Sequence, residues 1–156
     1  MISKKLYLLA LPTIIALFVS WYTRTPKGIR NNNPLNIRGN DNFKWQGEID
    51  RDFDGFVIFD TPENGFRAAG RVLRTYRDKH NLRTIYDIVN RWAPPNENDT
   101  TAYINSMVQK TGIGANTELE DVEQYAALVA AMTHHENGQN PFEITFIKLN
   151  VERGLV

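Results

Sequence analysis

His134, His135 and Glu136 stand side by side at the close of an apolar run, Tyr125-Ala-Ala-Leu-Val-Ala-Ala-Met132, and are followed at once by Asn137 and Gly138. A glutamate in that place sits at the negative end of a helix dipole and at the rim of an apolar core. Both conditions favour the protonated carboxyl. A carboxylic acid that keeps its proton near neutral pH can donate it to a leaving oxygen, which is what glycoside cleavage requires. The plainer alternative is a solvated glutamate in a fraying last turn. Glu63 is the rival carboxylate: it follows Thr61 and Pro62 at a helix start, where a negative charge complements the dipole, and that suits a base or stabiliser better than an acid.

Other chemistries find less support in the residue pattern. His134 and His135 are adjacent, so on a helix they point about 100° apart, no HExxH spacing occurs, and the third histidine is the distant His80; a metal site is not expected. There is no cysteine, hence no disulfide, thiolate zinc site or cysteine nucleophile. No G-x-S-x-G elbow is present. No cofactor is expected. What the sequence does offer is an amide-rich stretch, Arg30-Asn-Asn-Asn-Pro-Leu-Asn-Ile-Arg-Gly39, and the aromatic Trp45 before Gln46-Gly47. Such amides can satisfy turns, or pair with the hydroxyl and N-acetyl groups of a sugar on which Trp45 stacks. Tyr103 is open to the same two readings, as core residue or as a residue that positions substrate.

These residues need a scaffold, and the pattern of apolar residues predicts one that is α+β with helices dominating. Residues 43–59 read as a small β-hairpin with Phe56-Val-Ile-Phe59 as an apolar strand. Thr61 reads as the N-cap of a helix with Pro62 in its first turn and Phe66, Ala69, Leu73 and Tyr76 on one face, ending near His80. Further helices are expected over 84–92, stopped by Pro94-Pro95, and from about Asp99 to Lys110 with Tyr103, Met107 and Val108 inward. The longest runs from Thr117, with Glu120 completing a capping box, to Gly138. A last helix is expected to begin with Asn140 as cap and Pro141 in its first position.

Length, charge and the N-terminus bound the function. The chain of 156 residues accommodates one domain with a proper core. Eighteen Lys and Arg balance eighteen Asp and Glu, and with Lys4 and Lys5 set before the apolar run the remainder is slightly acidic, so nucleic acid is not expected as a partner. Leu6–Tyr22 carries no charge over seventeen residues, with Lys4 and Lys5 before it and Trp21 and Tyr22 at its end. As a helix it would reach roughly 25 Å against a hydrocarbon core of about 30 Å, a marginal span. The flanking lysines favour a cytoplasmic N-terminus and place the rest beyond the inner membrane. A cleaved signal peptide and a buried helix are the alternatives. The expected organisation is therefore an anchor or signal-anchor over 1–23, a linker over 24–33 and a monomeric domain over 34–156.

Taken together, Asn31-Asn-Asn-Pro-Leu-Asn-Ile-Arg-Gly39, the strand leading to Thr61-Pro-Glu-Asn-Gly-Phe-Arg-Ala68, the segment Trp92-Ala-Pro-Pro-Asn-Glu-Asn-Asp-Thr-Thr-Ala-Tyr103 and the helix ending in His-His-Glu-Asn-Gly138 resemble the lysozyme-like peptidoglycan hydrolases and lytic transglycosylases of phages. In the glucosaminidase branch the helix that ends in the catalytic glutamate comes first; here its counterpart comes last, so the chain resembles a circularly permuted form. The resemblance implies a lysozyme-like fold and Glu136 as general acid. It also implies cleavage of the β-1,4 bond between N-acetylmuramic acid and N-acetylglucosamine, with Asn32, Asn33, Asn36, Arg38, Trp45 and Tyr103 against the glycan. Glu63 remains the second carboxylate. With one strong carboxylate, a lytic transglycosylase is slightly favoured over a hydrolase. The partners implied are peptidoglycan strands and, through residues 6–22, the inner membrane. The domain would face the periplasm or wall, as in signal-anchor endolysins, or travel in a virion. The alternative is a non-catalytic peptidoglycan-binding or virion structural protein.

Overall fold

A computed structural model of the chain describes residues 24–96 and 99–156. The expected anchor, residues 1–23, lies outside the described residues, and among these no helix is long and apolar enough to cross a membrane. The architecture is α+β and mainly helical: α1 (Lys27–Arg30), β1 (Glu48–Arg51), β2 (Val57–Phe59), α2 (Pro62–His80), α3 (Ile85–Trp92), α4 (Thr100–Thr111), α5 (Val122–Asn137) and α6 (Ile144–Leu155).

The two strands form an antiparallel hairpin in which Glu48 faces Phe59 and Arg51 faces Val57, with an irregularity between Glu48 and Asp50. At its tip, Asp52 Oδ1 accepts from the backbone N–H of Asp54 and of Phe56, and Gly55 supplies the positive φ, 83°, that brings the chain back. Asp52 is pushed up by burial, yet it ends below the usual carboxylate range because these N–H groups and Asn31 donate to it and Lys27 stands near. Ile37–Gly39 runs along the other edge of β2, with Val57 N donating to Ile37 O and Gly39 N to Gly55 O, each at 2.9 Å.

α5 is the helix about which the core forms, burying Tyr125, Ala126, Leu128, Val129, Ala131 and Met132. α4 and α6 pack on it, and α6 packs in turn along α2. The last pair comes close because glycines meet: a Cβ on Gly70 would lie 2.2 Å from Val151 O, and one on Gly154 would lie 2.1 Å from Arg67 O. Phe66 of α2 sets its edge against Phe142 and Phe146, at 5.0 and 6.0 Å between ring centroids.

Three expectations are corrected. Residues 24–33 are not a free linker: Gly28, Asn31 and Asn33 are buried and α1 is part of the folded unit, which therefore begins before residue 34. α5 begins at Val122, not near Thr117, with Asp121 and Gln124 making the capping box. The reason is that Thr84 pairs with Glu118 and Leu119 N donates to Arg83 O, which holds the segment extended. α6 begins at Ile144 rather than after Asn140, because the Asn140 side chain is spent on a turn, accepting from Phe142 N at 3.1 Å. The other helix limits agree closely with the sequence reading; α2 runs from the Thr61 cap to His80 and α3 from a Thr84–Asp87 capping box to Trp92.

Candidate active site

The end of α5 is tied to the amide-rich loop before any substrate group is considered. Asn137 Nδ2 donates to Pro34 O and to Thr133 O, both at 2.8 Å, while Gly138 closes the helix in the left-handed conformation, φ 68°. Glu136, half-buried, therefore lies beside Asn36, whose own positive φ of 51° turns the loop there. Asn36 Nδ2 donates to Glu136 Oε2 at 3.2 Å. From α4, the Tyr103 hydroxyl donates to Glu136 Oε1 at 3.0 Å. Two donors from separate elements thus fix both oxygens of one carboxylate.

Tyr103 is 4% exposed, and its hydroxyl is held far above the ordinary phenol value, first by burial and then by the charge of Glu136 and the hydrogen bond to it. It is therefore a donor at every physiological pH. Its ring is covered by the imidazole of His135, with centroids 3.7 Å apart and planes 19° from parallel.

These groups line a cleft of about 810 Å³. One wall comes from the hairpin and the strand beside it: Phe43 stands edge-on to Trp45, at 5.1 Å, and Arg38 lies over the face of Phe56, at 4.4 Å. Glu48, buried within the hairpin, fixes the start of this wall, accepting from Trp45 N at 2.9 Å and from Arg51 Nε at 3.0 Å. The opposite wall holds Tyr76 and Trp92, edge to face at 6.4 Å, with Ala93 and Ala102. Asp99 is the other carboxylate lining the cleft among the described residues, and it caps α4, accepting from Ala102 N at 3.0 Å. Among the described residues no group of three or more His, Cys, Asp or Glu side chains is placed to hold a metal ion.

The fold gathers Asn36, Arg38, Trp45, Tyr103 and Glu136 of the sequence-predicted residues into this one cleft. It leaves out three. Asn32 turns its amide to Phe59 O and Asp60 O, at 3.0 and 3.2 Å. Asn33 is fully buried and bridges two chain segments, donating to Ile37 O and Val57 O and accepting from Ile37 N. Both are structural, because the loop's own backbone groups need those partners. Glu63 is in the first turn of α2 and does not line the cleft; Gly65, two residues on, packs against Asn32 O, so this helix start meets the back of the loop. The sequence reading missed Phe56, Trp92 and His135 as cleft residues and took Tyr76 only as core. His135 carries a signal in its place beside Glu136, but its residue type alone presents it only as a candidate metal ligand.

No family model matches the chain. Over 143 residues it is 46% identical to Protein P5 of Pseudoalteromonas phage PM2, an alignment that covers 90% of this chain and 89% of that one.

Proposed function

The chain belongs to the family of Protein P5 of Pseudoalteromonas phage PM2, and we propose that its cleft cuts the β-1,4-linked glycan of bacterial peptidoglycan between N-acetylmuramic acid and N-acetylglucosamine, on a lysozyme-like fold. The observation that carries this reading is the single carboxyl group of Glu136, clamped by Tyr103 and Asn36 in the wall of an aromatic-lined groove. A groove of that size with Trp45, Phe43, Tyr76 and Trp92 on its walls offers flat apolar faces to sugar rings. A phage relative fits an enzyme that must pass a bacterial wall.

In this mechanism Glu136 gives its proton to the glycosidic oxygen as the C1–O bond breaks, and positive charge develops on the muramic acid ring. Tyr103 and Asn36 hold the carboxyl in place and stabilise the carboxylate left behind. Among the described residues, the other carboxylate lining the cleft, Asp99, is engaged in capping α4. This favours attack by the 6-hydroxyl of the same muramic acid, which loses its proton to Glu136 and closes a 1,6-anhydro ring, over attack by water. The domain acts at the periplasmic or outer side of the inner membrane, held there by residues 6–22.

The test is to incubate the protein with purified peptidoglycan beside Glu136→Gln and identify the released fragments by mass spectrometry. Anhydromuropeptides that vanish with the variant, a loss of at least about a hundredfold, are the expected result. Reducing ends would assign a hydrolase. Binding to walls without release of fragments would overturn the enzymatic reading in favour of a wall-binding or virion structural protein.

A further inference from the structure

Arg38 is the one guanidinium or ammonium group lining the cleft among the described residues. Its side chain is exposed but held at two points: Cζ lies over the Phe56 ring at 4.4 Å, and Nη1 donates to Asp54 O at 2.7 Å. The backbone beneath it is fixed as well, since Arg38 bridges to Phe56, and Ile37 and Gly39 on either side are hydrogen-bonded to Val57 and Gly55. Nε and Nη2 have no partner among the described residues. Arg38 also follows by two residues the asparagine that donates to Glu136, so the cation stands about 7 Å along the backbone from that contact, on the wall facing the helix that carries the acid. The only acidic groups lining the cleft among the described residues, Asp99 and Glu136, come from α4 and α5, outside the hairpin wall that carries Arg38. The groove is thus electrically polar: a cation on the hairpin wall, acids on the helical one.

A guanidinium held over an aromatic ring, with the N–H groups of Nε and Nη2 left over, is matched to a carboxylate. A neutral polysaccharide gives it nothing to pair with. From this we propose that Arg38 is a specificity-determining residue that takes a carboxylate carried by the muramic acid, so that the cleft accepts the acidic peptidoglycan strand and discriminates against a neutral β-1,4-linked amino-sugar polymer. The inference rests on the glycan-cleaving reading above and adds to it which sugar the hairpin wall must hold. Because muramic acid alternates with a neutral sugar, one fixed cation also sets the register of the strand and hence which of the two bond types meets Glu136. The carboxylate has two possible sources, the stem peptide of intact strands and the lactyl group of strands stripped of peptide.

The experiment compares kcat/KM of the full chain, wild type and Arg38→Gln, on three forms of one glycan preparation: peptide-bearing strands, strands stripped by an amidase, and stripped strands whose carboxyls have been reduced to alcohols. The expected result is that wild type prefers at least one charged form over the reduced form by about tenfold, the worth of one charge-assisted hydrogen bond. Arg38→Gln should bring that ratio to about one, and Arg38→Lys should restore part of it. The charged form that shows the preference names the source of the carboxylate. Equal cleavage of all three forms by wild type, or a preference that Arg38→Gln keeps, overturns the assignment of Arg38 and leaves the glycosidase reading standing. Release of nothing from any form by folded wild type overturns both. Equal cleavage by wild type overturns the assignment without any variant, and if Arg38→Gln fails to fold, Arg38→Lys supplies the variant arm with a reduced but not abolished preference.

Discussion

The imidazole of His135 lies flat on the ring of Tyr103, 3.7 Å between centroids, and the hydroxyl of that same tyrosine donates to Glu136, the residue next to His135 in the chain. The candidate acid is therefore held by a tyrosine from another helix, whose ring is covered by the acid's own neighbour. A stack of this kind contributes about 0.5–1.5 kcal/mol. His135→Ala should lower kcat about three- to tenfold with KM little changed, and His135→Phe, which restores a flat ring, should recover most of it. If alanine and phenylalanine variants lose equally, or KM alone moves, the stack does not position Tyr103.

Tyr103 gives a pH dependence with a definite sign. Burial first, then Glu136, raises its ionisation well above the ordinary value of 10.0. On alkaline titration the unfolded chain loses this proton before the folded one does. The resulting stability is complete below about pH 10 and is lost progressively as pH rises above it. Burial shifts Tyr76 and Tyr125 the same way, so wild type keeps some alkaline sensitivity without Tyr103. The melting temperature of wild type should fall above pH 10, and that of Tyr103→Phe should fall less steeply; parallel curves would refute this.

Asn33 should matter to stability far more than to chemistry. Its amide makes three hydrogen bonds within a site of 0% exposure, joining the loop to β2. Asn33→Ala removes a donor from Val57 O and from Ile37 O, which keeps Val57 N, and removes the acceptor of Ile37 N, at a cost of about 2–4 kcal/mol, measurable by urea unfolding. Any wall-cleaving activity per folded molecule should survive.

Glu63 should be dispensable for catalysis. It lies outside the cleft in the first turn of α2, where its charge complements the helix dipole. Glu63→Gln should retain activity within about twofold and lose no more than about 1 kcal/mol of stability. A loss of turnover comparable to that of Glu136→Gln would return it to the mechanism.

Much of this protein could be read along the chain because the signals involved are local. Thr61-Pro62 starts α2, the capping pair of Thr84 and Asp87 starts α3, and Gly112 and Gly138 end α4 and α5 in the left-handed conformation they readily adopt. The short apolar run Phe56–Phe59 and the turn residues before it give the hairpin, and the apolar run closing on Glu136 gives a carboxyl group at a core's edge. Where a distant partner competes, local signals fail. Thr117 and Glu120 form a sound capping pair in sequence, yet pairing of 118–119 with the Arg83–Thr84 segment moves the start of α5 to Val122.

The site shows the same division more sharply. Asn32, Asn33 and Asn36 are alike in sequence, and any of them could face a ligand; only the tertiary structure assigns the first two to backbone carbonyls and the third to Glu136. The reason is that an amide's role is set by the groups within about 3 Å of it, and in these three bonds those groups are contributed from 24 to 100 residues away in the chain. Glu136 was legible as a candidate acid from its neighbours. Its two clamps, the ring that covers one of them, and the cation on the facing wall exist only because the loop at 31–39, the hairpin, α4 and the end of α5 are packed together.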